Sequence, residues 1–241
     1  MATSLGIGGQ IVTDGLVLCL DAANKDSYPG SGTTWYDLSG NGYNGTLVNS
    51  PVFEAEKLGN FNFDGSDECV NIGTDTAYNS LTQITGEAVF RPEVAASYQY
   101  IASNARDCCG VYNGFNFYLN SSRILEVMIW NSANYDGSNW PTSRDVVSGN
   151  TLLTLNNWYH VAFTYDNSDL VLYLNGINNG SKSTGFGIGT PASYTLRVGA
   201  MGLSNIYDFN GNIAFFRLYN RALTASEISS NFLALRARFG L

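Results

Sequence analysis

Residues Trp158–Asp166 (WYHVAFTYD) and Leu170–Gly176 (LVLYLNG) decide the fold. In the first run Trp158, His160, Ala162 and Thr164 point one way. Tyr159, Val161, Phe163 and Tyr165 point the other, which is the two-residue period of a strand. The second run is rich in leucine, valine and tyrosine and ends in Asn175-Gly176. That dipeptide accepts the positive φ angles of a type I′ turn, so Ile177 starts a return strand.

Similar runs recur on either side. Residues 16–20 (LVLCL) read as a buried strand, 61–63 and 69–72 as short strands around Asp64-Gly65, and 83–91, 98–103, 115–119 and 124–130 as evenly spaced strands. Two more are expected at 194–200 and 213–219. Long polar loops are expected at 22–45 and 131–150, and loops of that length usually have a structural or functional task. Thr224-Ala-Ser-Glu227 is a capping box, flanked by Leu223 and Ile228 at the staple positions. It opens a helix over 224–235 whose Ile228, Phe232 and Leu235 share one face. With no Pro/Ser-rich linker, repeat or charge block, the expectation is one domain over 1–241, with residues 1–14 as an N-terminal arm.

Composition agrees with many short strands and tight turns. The chain has 27 Asn and 26 Gly, both tolerant of left-handed backbone, and 13% aromatic residues to fill a sheet-on-sheet core. Net charge is −8, and the first hundred residues carry 12 Asp+Glu against 3 Lys+Arg. Such a surface repels phosphate backbones, which argues against nucleic acid as a partner. No apolar run is long enough for membrane insertion as a helix. The start of the chain lacks the charge and apolar run of a secretory signal, so the expectation is synthesis in a cytoplasm with Cys19, Cys69, Cys108 and Cys109 as thiols.

Four segments in order carry a family resemblance: 15–51 (GLVLCLDAANKDSYPGSGTTWYDLSGNGYNGTLVNSP), 61–73 (FNFDGSDECVNIG), the central hairpin, and 209–232 (FNGNIAFFRLYNRALTASEISSNF). Together they resemble laminin-G-like domains of the concanavalin A-like lectin/glucanase superfamily, as found in phage and environmental proteins. The resemblance implies an all-β, concanavalin A-like jelly-roll sandwich of two antiparallel sheets with a short C-terminal helix.

Function does not follow from that fold. Laminarinase-type relatives carry Glu-x-Asp-x-x-Glu on one strand; this chain has no such motif, and the single histidine, His160, reads as a packed or edge-exposed imidazole and not a base. The chain is therefore expected not to be an enzyme. Asp37, Asn41 and Asn44 lie in a Gly-rich loop, and Asp64 precedes Gly65. These residues suit either Asx turns or a Ca²⁺ ion of the kind the resemblance implies, although no cofactor is required. The chain has Ile213-Ala214-Phe215 where relatives carry Ile-Asp-Glu, which takes away an expected carboxylate. Trp130, Tyr135 and Trp140 interleave aromatic rings with amides and hydroxyls, a combination that suits sugars, protein interfaces or simple pinning of the loop.

The leading expectation is a virion structural or adhesion protein of a phage, a capsid decoration or tail-appendage component docking on other virion proteins and presenting a surface to host glycans. An oligomer is compatible with this reading. The alternative is a free carbohydrate-binding, lectin-like module, and the third reading is a glycoside hydrolase.

Overall fold

The computed structural model describes residues 9–95, 98–105, 113–131, 144–185, 187–189, 195–202 and 207–241. In chain order the described residues form β1 (Leu16–Asp21), β2 (Thr34–Trp35), β3 (Gly45–Val48), β4 (Val52–Glu54), β5 (Asn60–Asp64), β6 (Cys69–Gly73) and the one-turn α1 (Thr76–Asn79). Next come β7 (Ile84–Pro92), β8 (Gln99–Ser103), β9 (Asn113–Leu119), β10 (Ile124–Asn131) and β11 (Arg144–Leu152). The chain closes with β12 (Tyr159–Tyr165), β13 (Asp169–Leu174), β14 (Ile177–Ser183), β15 (Leu196–Val198), β16 (Asn210–Tyr219) and α2 (Ala225–Phe239). The first sheet runs β14-β13-β12-β7-β16-β5-β4, with β1 also paired to β16; the second runs β11-β10-β9-β8-β15-β6-β3-β2. The pairings are antiparallel throughout. The architecture is the expected all-β sandwich. Among the described residues no helix is long and apolar enough to cross a membrane.

The central hairpin forms as its pattern requires. Asn175 (φ 50°) and Gly176 (φ 75°) both take positive φ, and β13 returns as β14. Val161, Phe163 and Tyr165 of β12 enter the core between the sheets. Phe163 meets Phe115 and Phe117 of the second sheet, each with ring centres 5.1 Å away, and Trp35 meets Phe61 at 4.8 Å. These aromatic contacts join the two layers by burying large apolar faces. Gly86 lies beside Phe163 on β7, where a Cβ would come within 2.3 Å of the ring.

The other side of the first sheet is sealed by α2. Its capping box is formed: the Glu227 amide donates to Thr224 Oγ1 (3.3 Å) and the Thr224 amide to Glu227 Oε2 (2.8 Å). The helix runs past the expected residue 235 because Leu235 and Phe239 continue its buried face, and Gly240 (φ 74°) then ends it. Residues 10–14 of the arm follow the helix; the Val12 amide donates to Asn231 Oδ1 (2.8 Å) and Arg221 pairs with Asp14 (2.9 Å).

Beneath α2 lies a buried polar group. His160 Nε2 and Glu87 Oε1 are 2.6 Å apart, Asn231 Nδ2 donates to Glu87 Oε2 (3.1 Å), and Arg217 lies 3.5 Å from Glu87 Oε2. Burial alone would raise the Glu87 carboxyl, but the His160 hydrogen bond and the Arg217 charge together hold it below the usual carboxylate range. His160 and Glu87 are both fully enclosed; their bond joins the neighbouring strands β12 and β7, and Asn231 carries the link to the helix.

One correction concerns 131–150, expected to be loop throughout. Residues from Arg144 onward are strand β11, paired with β10. Its polar composition hid it. As an edge strand it exposes much of its length, and only Asp145, Val147 and Gly149 are buried.

Because Phe163 is wedged between two phenylalanines, it has little room to yield. Gly86→Ala is expected to destabilise the protein by about 1–3 kcal/mol, measured as a shift in the urea midpoint. An unchanged midpoint would show that this part of the core is slack.

Candidate functional site: the outer face of the second sheet

Strands β9 and β10 alternate between two apolar faces. Phe115, Phe117 and Leu119, with Leu125, Val127 and Ile129, point into the core. The residues between them point outward, and they too are largely non-polar: Tyr118 on β9, Met128 and Trp130 on β10. Register places them in rows. Tyr100, Tyr118, Glu126 and Ser148 face one another across β8, β9, β10 and β11. In the next row Ser103, Asn116, Met128 and Val146 align, and then Gly114, Trp130 and Arg144. Three strand spacings give a width of roughly 14 Å, and the four residue steps from Glu126 to Trp130 a length of roughly 13 Å.

This face encloses a hollow of about 380 Å³, within the usual range of ligand pockets. Tyr98 and Tyr207 rise at one side, 40% and 36% exposed. Their rings lie 5.3 Å apart; Tyr100 stacks on Tyr118 at 5.1 Å and on Tyr207 at 6.2 Å. At the opposite corner the Arg144 guanidinium lies over Trp130, 5.7 Å from the ring centre. Gly114, directly across from Trp130 with φ 94°, packs against Asn104, whose Oδ1 an added Cβ would meet at 2.5 Å.

Polar groups hold the floor. Asn116 is buried, and in the amide orientation that satisfies both ends its Oδ1 accepts from Trp130 Nε1 (3.1 Å) while its nitrogen donates to Ser103 Oγ (2.6 Å). Glu126 Oε1 accepts from Asn120 Nδ2 (2.8 Å) and Ser148 Oγ (2.7 Å). Burial raises the Tyr118 phenol and the nearby Glu126 carboxylate raises it further, so the phenol stays protonated. The surface is thus a rigid aromatic platform edged by one carboxylate and one guanidinium.

Trp130 therefore stands at a corner of this hollow. Tyr135 and Trp140, expected beside it, and the Cys108-Cys109 pair lie outside the described residues. Tyr98, Tyr100, Tyr118, Glu126, Arg144 and Tyr207 were not expected. A signal for some of them exists in the sequence: the outward positions of β9 and β10 include Tyr118, Met128 and Trp130 among Gly114, Asn116 and Glu126, where a solvated face would carry small polar or charged residues throughout.

The residues expected to hold Ca²⁺ fall in two places. Asp37 Oδ1 accepts from the Cys19 and Ser39 amides (both 2.9 Å), and Oδ2 from Ser39 Oγ (2.7 Å) and the Tyr43 amide (3.1 Å). Asn44 Oδ1 accepts from the Asp37 amide (2.9 Å), and Asn41 turns its nitrogen to the Val17 carbonyl (2.9 Å). These are turn-forming bonds. Asp64 lies elsewhere, across from Asn210 at the start of β16, whereas Cys19, which Asp37 holds, is across from Arg217. Seven residues of strand separate the two places by on the order of 20 Å, so one ion cannot use both. Among the described residues no three His, Cys, Asp or Glu side chains converge as a metal set. Asp37 is thus engaged four times by donors of its own neighbourhood, and Asp64 belongs to a different part of the sheet.

Near Asp64 sits a group that was not anticipated. Asp208 is 5% exposed, and neither of its carboxylate oxygens has a hydrogen bond among the described residues. Burial pushes its pKa up to about 6, with Asp67 and Asp64 adding to the rise and Arg197 opposing it.

A family model described as the concanavalin A-like lectin/glucanases superfamily matches residues 64–229. The chain belongs to this superfamily. No curated protein matches it in sequence. Among solved structures, the binding domain of Paraclostridial Mosquitocidal Protein 1 aligns at 17% identity with a TM-score of 0.69, over 91% of this chain and 52% of that one. The chain thus spans about half of that toxin domain. Domain 4 of AbnA, a GH43 extracellular arabinanase from Geobacillus stearothermophilus solved with arabinotriose, aligns at 17% and 0.60, over 91% of this chain and 98% of that domain. The CBM40 of Ruminococcus gnavus IT-sialidase, bound to alpha2,3 sialyllactose, aligns at 13% and 0.57, over 71% and 95%. At these identities the likeness establishes the fold.

Two substitutions test this chemistry. Asp37→Ala removes an acceptor used four times and should cost about 1–3 kcal/mol of stability, by the same amount in Ca²⁺ and in chelator. A loss present in Ca²⁺ alone would restore an ion at that loop. For Asp208 the folded pKa of about 6 stands above the ordinary 3.8. The folded state then binds more protons between those values, and stability should fall as pH rises through that window. Asp208→Asn should flatten that slope and raise Tm by a few degrees at pH 7; a lowered Tm would mean that the charged form is held by groups favouring it.

Proposed function

We propose that this domain is a non-catalytic carbohydrate-binding module whose ligand lies on the outer face of the second sheet. The observation that carries this reading is the aromatic hollow, with Tyr98 and Tyr207 exposed beside a floor of Tyr100, Tyr118 and Met128. Flat rings take the C–H faces of a sugar, while Glu126 meets its hydroxyls. Rigid aromatic side chains provide that contact at a small cost in conformational entropy.

The relatives support the same choice. An arabinanase domain solved with arabinotriose and a sialidase module solved with sialyllactose share the fold. Catalysis is the weaker reading, because two-carboxylate glycoside hydrolysis needs a pair of acids, and Glu126 is the single carboxylate among the described lining residues. The docking role in a phage virion rests on the sequence resemblance alone, and the named relatives, toxin and glycosidase modules, favour carbohydrate binding over it. A virion that carries this domain would use the same face toward host glycans.

A glycan array followed by calorimetry tests the reading. The double variant Tyr98→Ala/Tyr207→Ala should keep the fold, since both rings are rim residues, and should weaken the best ligand by about tenfold or more. A blank array with folded protein, or undiminished binding by the variant, would overturn it.

A further inference from the structure

The hollow holds a carboxylate that no cation answers. Glu126 is half-buried in the row of Tyr100 and Tyr118, and its Oε1 accepts from Asn120 Nδ2 (2.8 Å) and Ser148 Oγ (2.7 Å). The Tyr118 phenol, across the β9–β10 ladder, faces the same carboxylate. All three donors are neutral, so they orient the group without cancelling its charge. Among the described residues no Lys, Arg or His forms an ion pair with it, whereas Glu227 has Arg221 and Asp145 has Lys182. Arg144 belongs to the other end of the hollow, paired with Trp130 on the ladder and 5.7 Å from the centre of its ring. Four residue steps of β10 set the two ends roughly 13 Å apart, more than the Debye length of about 8 Å at physiological salt. Toward a ligand, Glu126 is an oriented and uncompensated anion.

From this arrangement we propose that the bound saccharide carries a free amine, and that Glu126 receives it as an ammonium. This rests on the glycan-binding reading above and names the class of glycan, an amino sugar whose nitrogen is not acylated. An ionised carboxylate offers about four acceptor positions. The Asn120 and Ser148 bonds fall on one oxygen, so a further donor can join. A hydroxyl would supply a donor alone. An ammonium also supplies the opposite charge, and hydrogen bonds to ionised groups are roughly twice as strong as neutral ones. The surroundings favour the same sign: a net charge of −8 draws cations toward the chain, and the faces of aromatic rings are negative. The sugar that bears the amine would sit beside Tyr118, with neighbouring rings continuing over Met128.

The test uses matched pairs in which an amine replaces a hydroxyl: chitosan trimer against cellotriose, and 2-amino-2-deoxy-lactose against lactose. Each is titrated calorimetrically in mildly acidic buffer, where the amines are charged, at low and high salt. In the unaltered protein the amine-bearing member of at least one pair should bind about tenfold or more tightly. That ratio should shrink as salt rises, and N-acetylation of the ligand should abolish it. Glu126→Gln keeps an oxygen for Asn120 and Ser148, so the protein should stay folded while the ratio falls toward one. Glu126→Asp keeps the charge on a shorter arm and should give an intermediate ratio. Both members of each pair binding alike in the unaltered protein would overturn this inference and leave the glycan reading standing. Failure of every member to bind would overturn it too, and a blank glycan array beside that failure would remove the glycan reading as well. A ratio that survives Glu126→Gln would place the ammonium elsewhere and overturn the assignment to Glu126.

Discussion

The structure depends on one constraint: strands β9 and β10 carry non-polar residues on both faces. Such strands must bury one face against a partner layer, and Phe115, Phe117, Leu125, Val127 and Ile129 do so against Phe163 and its neighbours. The register that fixes this core also fixes the outward rows. A slip by one residue would turn Trp130 and Tyr118 inward and the core outward, so the packing of the interior holds the surface site in place. The platform is rigid because it is the back of the core.

The two sheets treat their outer faces differently. On the first sheet α2 and the arm cover the outside, and the polar groups left there, Glu87, His160, Arg217 and Asn231, are enclosed and engaged with one another. Removing one partner from such a group would leave a buried charge unpaired, which explains why titratable residues can sit there without being chemical. On the second sheet Tyr98 and Tyr207 stand exposed at the rim of a hollow whose aromatic floor, Tyr100, Tyr118 and Trp130, is itself largely buried. The asymmetry gives the two faces different parts: the helix side closes the fold, and the tyrosine side is the one proposed here to take a ligand.

Much of the fold was legible from local signals. The two-residue alternation of 158–166, the Asn175-Gly176 turn and the Thr224–Glu227 capping box each specify an element within a few residues, and all three form. β11 was not legible, because an edge strand gains its place from pairing with β10 and not from its own composition. The site was legible only in part. Trp130 was found from aromatic content next to a polar loop, but Tyr98, Tyr100, Tyr118 and Tyr207 come from three separate stretches of the chain, and only the β8–β9–β10 register and the approach of residue 207 bring them together. The Gly-rich loop at 37–44 shows the converse. Its oxygens looked suited to a cation by composition, and backbone amides take up the Asp37 carboxylate instead.

The central claim is that recognition takes place on the outer face of the second sheet. It is tested most directly by mapping backbone and indole NMR shifts while the tightest-binding glycan of the array is added. The account predicts that the perturbed signals cluster on β8, β9 and β10, with the Trp130 indole N–H and the Tyr118 and Met128 amides among them, while α2 stays silent. Saturable shifts confined to α2, the arm or the loop at 37–44 would contradict it.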